Sequence, residues 1–195
     1  MEDERLIRDV QRLKEGLGPL PAPVSRPALI IVSGLPGTGK SYLSQKLAER
    51  LPFIVLETDA LRKMLFPSPR YTAGESYRLF RACHLLIEGL LRQGIRVIFD
   101  ATNLVERYRE RLYHVADQLG AKLAIVQVEA PPELVRQRLE ERALSAHQAA
   151  RSEADWSVYE KMRPTVQRIR RNHFVVDTSE DITPLINKIV RELRQ

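Results

Sequence analysis

A single cysteine in 195 residues, Cys83, leaves the chain without an internal disulfide, and its apolar helical position reads as core packing rather than a nucleophile. Long hydrophobic runs are lacking too: the longest are five or six residues, far short of a membrane span. The opening Met1-Glu2-Asp3-Glu4 is too acidic for a signal peptide, so a cytoplasmic location and no membrane partner are expected. His84, His114, His147 and His173 show no metal-ligand spacing. Lysine is scarce, 7 of 31 cations, which leaves 24 arginines, the better bidentate partners for phosphate. The net charge of +6 suits a polyanionic ligand without naming one, and solvated arginine faces would explain it equally well. No internal repeat is visible.

What is present centres on Gly34-Leu35-Pro36-Gly37-Thr38-Gly39-Lys40-Ser41, which fits G-x-x-x-x-G-K-S/T. The apolar run Ala28–Ser33 before it suits a buried parallel strand, and Leu43, Leu47, Ala48 and Leu51 after it follow a helical period. Strand, glycine loop and helix is the context in which successive backbone N–H groups and a helix N-terminus cradle phosphates. The motif predicts a nucleoside triphosphate site, with ATP the expected nucleotide. Lys40 reaches the β- and γ-phosphates, the Ser41 hydroxyl ligates Mg²⁺, and Gly34, Pro36, Gly37, Thr38, Gly39 and the following Tyr42 line the nucleotide.

Residues 1–27 form a separate leading piece. Leu6, Ile7, Val10, Leu13 and Leu17 share one face of an amphipathic helix, and Gly18–Pro27 holds four prolines in ten residues, the composition of an extended linker. The helix is expected to dock on its own domain or on a second subunit, as a homodimer. Residues 28–195 form the main domain. A second strand, Phe53–Leu56, ends in Glu57-Thr58-Asp59, and a third, Ile95–Asp100, also closes on aspartate. Between them Thr72-Ala73-Gly74-Glu75 reads as a capping box for a helix whose outer face carries Arg78 and Arg81. Asn103 with Glu106 is expected to cap the next helix. A fourth strand spans Lys122–Val128, and Pro131-Pro132 opens a helix bearing Arg136, Arg138 and Arg142. Residues 143–154 read as a mobile or poorly determined segment, Ser152 to about Arg171 as a helix kinked at Pro164. A short fifth strand, Phe174–Val176, leads to Thr178, a further nucleotide-side candidate.

Five βα units imply an α/β P-loop NTPase sandwich, a five-stranded parallel sheet with helices on both faces and an arginine-bearing lid. Strand-end acids lie where such sheets place ligands. Phosphoryl transfer needs a cradle, a metal, a group that activates the acceptor, and positive charge over the transferring phosphoryl. Gly34 to Ser41 supply the first; Ser41 and Asp100 flank the Mg²⁺; Asp59 is the candidate base; Arg138 and Arg142 are the candidate lid cations. Asp59 and Asp100 are equally placed to cap the helices that follow them.

The loop Gly34–Ser41, Asp59-x-x-Arg62, Asp100-x-Thr102-Asn103, Arg138-x-x-x-Arg142 and Tyr159-x-x-Met162 together resemble P-loop kinases related to polynucleotide 5'-hydroxyl kinase, a branch with zeta-toxin-like and seryl-tRNA kinases, over about residues 28–178. The resemblance implies that Asp59 is the general base, that Arg62 holds an acceptor phosphate, and that Asp100, with Thr102 and Asn103, lies beside acceptor and metal. The expected activity is ATP- and Mg²⁺-dependent transfer of the γ-phosphate to a hydroxyl of a small-molecule or polynucleotide acceptor. The alternatives are a nucleotide-binding switch or accessory ATPase with no acceptor, and a nucleic-acid-binding ATPase. The last ranks lowest, because no run of aromatics interleaved with cations suggests a stacking platform.

Overall fold

The computed structural model describes residues 2–144 and 154–194. In chain order the elements are α1 (Glu2–Glu15), β1 (Ala28–Ser33), α2 (Lys40–Ala48), β2 (Ile54–Glu57), α3 (Thr58–Leu65), α4 (Ala73–Arg92), β3 (Val97–Asp100), α5 (Glu106–Gln118), β4 (Lys122–Glu129), α6 (Pro132–Leu144), α7 (Trp156–Met162), β5 (Phe174–Asp177) and α8 (Thr183–Arg194). The strands form one parallel sheet in the order β2-β3-β1-β4-β5, the α/β P-loop arrangement expected. β1 is central, and all six of its residues are buried.

Alternation along each strand divides the apolar residues between two layers. Leu29, Ile31, Val97 and Phe99 face one layer with residues of α1, α3, α4 and α5; Ile30, Val32, Ile98 and Val55 face the other with Leu43 and Leu47 of α2 and Ile186 and Ile189 of α8. Cys83 is fully buried in the first layer, and burial pushes its thiol up to about 12, which makes it a packing residue. Thr72 caps α4 as expected, its hydroxyl accepting from Glu75 N at 3.2 Å.

Most of the stripe of α1 is covered by its own chain: Leu6, Val10, Leu13 and Leu17 join the first layer, whereas Ile7, expected on the same face, is 63% exposed. Arg78 and Arg81, expected on an outer face, instead meet this helix. Arg78 donates twice to buried Asp9, at 2.5 Å each, and Arg81 pairs with Glu2. No described helix is long and apolar enough to cross a membrane.

Two expectations need correcting. The helix foreseen from Ser152 to Arg171 is α7 and one 3-10 turn, Arg163–Thr165, followed by extended chain; residues 152 and 153, and most of the segment 143–154, lie outside the described residues. Pro164 offers no N–H to continue the i→i−4 ladder, so the α-helix ends at Met162 although Arg163 keeps helical dihedrals and opens the 3-10 turn. The extended chain then finds partners on α5: buried Arg109 donates to Gln167 O and Arg168 O at 2.8 and 3.2 Å, and Glu106 Oε1 accepts from Arg170 N at 3.1 Å. The cap of α5 also differs. Its N-cap is Val105, while Asn103, at φ +46°, donates from Nδ2 to Val32 O at 2.7 Å, and Glu106 pairs with Arg109.

Arg109 is 1% exposed and fastens this returning chain to the loop after β3, where it also donates to Asn103 O. Arg109→Met strands the Glu106 carboxylate, and the expected loss is about 3–5 kcal/mol in urea unfolding. Adding Glu106→Gln should recover part of it.

Candidate functional site

The loop between β1 and α2 is held open by contacts that demand its glycines. Gly39 has φ +95°, and a Cβ there would meet Thr178 at 3.0 Å; a Cβ on Gly34 would come within 2.5 Å of Val128 O. Thr38 Oγ1 and Lys40 Nζ both donate to Leu35 O, at 2.8 and 2.9 Å, so the loop curls around its own carbonyl with Lys40 at its centre. Pro36 and Gly37 are buried, and Gly37 lies against Val135 and Leu139 of α6. The loop's base is tied to the strand-end loop beyond β3: Gly34 N donates to Thr102 O at 3.0 Å, and Ser33 Oγ to Asn103 O at 3.1 Å.

Around Lys40 the sheet delivers acids. Burial lowers the Lys40 ammonium below its ordinary value, against the opposing pull of Asp100, Asp59 and Glu57, while Arg142 adds to the lowering. The expected base, metal residue and second lid arginine therefore all act on one ammonium. Asp100 ends β3, is 3% exposed, and its Oδ2 finds no hydrogen-bond partner. Burial raises its pKa more than Lys40, Ser41 and Ser44 lower it. A buried oxygen without a partner suits a cation or its water, and Ser41 stands beside it in the first turn of α2. No group of three or more His, Cys, Asp or Glu among the described residues forms a metal cage. Ser41 and the unpartnered Asp100 Oδ2 would suit Mg²⁺, which keeps several waters and takes one or two protein ligands plus phosphate oxygens.

This acid carries a stability cost. Its folded pKa is raised, so its penalty is absent below the ordinary carboxylate value of about 3.9 and grows as the pH climbs through the raised one. Asp100→Asn is expected to stabilise the ligand-free protein at neutral pH by about 1 kcal/mol, or ~2–4 °C in Tm, with no gain in acid. The same variant should lose the Mg²⁺ dependence of nucleotide binding. Paired melts with and without MgADP check both.

On the opposite side α3 brings Asp59 and Arg62 one turn apart. Arg62 is 7% exposed. Its Nη2 donates to Ser76 Oγ at 3.2 Å, Glu75 Oε2 lies 3.7 Å from Nη1, and the guanidinium lies 4.8 Å from the Tyr71 ring centre. Its Nε and Nη1 are nonetheless buried without hydrogen bonds. Glu75 also accepts from Arg70 N at 2.9 Å, so it anchors the turn before α4 as well as Arg62. Sequence reasoning gave Glu75 only a capping role.

The candidate lid arginines differ in position. Arg138 is tied to Thr178: Nη1 donates to Oγ1 at 2.8 Å and Nη2 to the carbonyl at 2.9 Å. Thr178 in turn donates to Thr38 O at 2.6 Å, so the two brace the phosphate loop from behind. Arg142 is exposed and acts on Lys40. Tyr42 is 54% exposed and lies near enough to Lys46 to act on it electrostatically. Beside the loop, Trp156 stacks on buried Tyr159 with ring centres 4.7 Å apart, and both join Leu35, Val135 and Leu139 in one apolar cluster linking α6 and α7 to the loop.

Comparisons with known proteins agree with this architecture. A family model described as an AAA domain matches residues 29–169. Among solved structures, a gluconokinase from Sinorhizobium meliloti is 22% identical, with a TM-score of 0.61, covering 86% of this chain and 92% of its own. The Mycobacterium tuberculosis APS kinase CysC, solved with AMPPNP and APS, is 20% identical (TM-score 0.62; 89% and 100% covered). Chaetomium thermophilum Kti12, solved with ADP-AlF3, is 20% identical (TM-score 0.66; 85% and 97% covered). At these identities the likeness shows a shared P-loop fold.

Proposed function

The chain belongs to the AAA domain family matched over residues 29–169, and from that premise we propose that it is an ATP- and Mg²⁺-dependent kinase that moves the γ-phosphate to a hydroxyl on an acceptor carrying an anionic group. The loop around Lys40 and the N-terminus of α2 hold the triphosphate. Ser41 and Asp100 face the Mg²⁺, which neutralises charge on the β- and γ-oxygens when bound. Asp59 takes the proton of the acceptor hydroxyl, and Arg142 adds positive charge from α6.

The observation that carries this reading is Arg62. Two nitrogens of this buried guanidinium, Nε and Nη1, make no hydrogen bond, Nη1 having only its 3.7 Å ion pair with Glu75, which suits a ligand that supplies oxygens, and the group stands one helical turn from Asp59. A nucleotide switch with no acceptor would leave Arg62 with only its contacts to Ser76, Glu75 and Tyr71. The nucleotides in the neighbouring kinase and Kti12 structures support ATP as the donor. The kinship with polynucleotide 5'-hydroxyl kinases suggested by Asp59-x-x-Arg62 stays within this proposal, and both small phosphorylated or carboxylated alcohols and polynucleotide ends meet the requirement for a hydroxyl and an anion.

The deciding experiment incubates the protein with γ-labelled ATP, Mg²⁺ and parallel sets of anionic and uncharged alcohols, and of oligonucleotides. Label in an anionic acceptor supports the reading. Release of free phosphate alone, with no labelled acceptor in any set, overturns it.

A further inference from the structure

Glu57 closes β2 and had no assigned role. Its position follows from strand register: Glu57 pairs with Asp100 across the β2–β3 ladder, and residues paired in register point to the same face. Val55 and Ile98, two residues earlier on each strand, pack in the layer beneath α2. Both carboxylates therefore face the first turn of α2. Ser41 Oγ donates to Glu57 Oε1 at 3.2 Å, and Glu57 is close enough to act electrostatically on Lys40. A second observation points to a ligand at this spot: the Oδ2 of Asp100, 3% exposed, lacks a partner.

We propose that Glu57 is a further residue of the metal site: as a carboxylate it accepts the hydrogen bond of the Ser41 hydroxyl, leaving the hydroxyl lone pairs to the cation, and adds the second negative charge beside Asp100. A hydroxyl has one proton and two lone pairs, so fixing the proton decides where the lone pairs point. With Lys40 and a divalent ion both in the site, two strand-end carboxylates offset more positive charge than one. The role rests on the nucleotide reading above but requires no acceptor.

The test uses the full-length protein with ADP and Mn²⁺. Calorimetry gives ADP affinity with and without the metal, and electron paramagnetic resonance counts bound Mn²⁺. Glu57→Gln, which keeps an oxygen acceptor for Ser41 and removes the charge, should cut the metal-dependent gain in ADP affinity about tenfold while leaving metal-free ADP affinity and the thermal midpoint near parental. Glu57→Ala, which removes the acceptor as well, should cut it further. A full metal-dependent gain in Glu57→Gln overturns the proposal, as does an equal loss of affinity with and without metal, which would make Glu57 a brace for α2. If the parental protein binds Mn²⁺ and ADP but phosphorylates no acceptor, the kinase reading falls and the role of Glu57 stands. If it binds no ADP, both fall.

Discussion

Asp59→Asn is expected to bind MgATP with near-parental affinity and to transfer phosphate about a hundred- to ten-thousand-fold more slowly, the range typical for losing a general base. Asparagine keeps the shape of the side chain and its hydrogen-bonding reach. It cannot accept a proton. Asp59 sits in the first turn of α3, and it and Asp100 both act on Lys40. The loss should therefore appear in the chemical step, read as kcat under saturating ATP and acceptor, with calorimetry confirming that nucleotide binding survives. A rate within threefold of parental would remove Asp59 from the mechanism and leave it as a helix-terminal residue.

Arg62→Gln is expected to spare the KM for ATP and to lower kcat/KM for an anionic acceptor by two to four orders of magnitude. Nε and Nη1 make no hydrogen bond, Nη1 having only its ion pair with Glu75, and charge-assisted hydrogen bonds from them to the acceptor would contribute about 1.5–3 kcal/mol each, or roughly 3–6 kcal/mol for the pair. The acceptor's own charge supplies the control. An uncharged analogue should respond far less to the substitution, whereas equal losses for both acceptors would show that Arg62 merely shapes α3 and α4 through Ser76 and Glu75.

Some of this was legible in the chain and some was not, for physical reasons. The phosphate loop could be read because its chemistry is local: eight consecutive residues contain the turns, the lysine and the hydroxyl. That Asp59 and Asp100 both come near Lys40 was legible because the C-terminal ends of parallel strands converge on one edge of the sheet. Their pairing with Glu57 was hidden, since it depends on β2 lying next to β3, and strand order is not written in hydrophobic periodicity. Arg62 entered through the family resemblance carried by Asp59-x-x-Arg62, but its burial comes from Tyr71 and α4, which no local pattern reveals. Arg109 looked like one more arginine on a helix. Its value lies in carbonyls 58 and 59 residues away, which also replaced the helix foreseen after Pro164 with extended chain.

Trp156 is the chain's single tryptophan, and it sits where α7 meets the phosphate loop through Leu35 and Tyr159. One indole at one joint gives the molecule a native optical sensor. Its emission can follow the junction of α7 with the loop in stopped-flow mixing, with no dye attached and no background from other indoles.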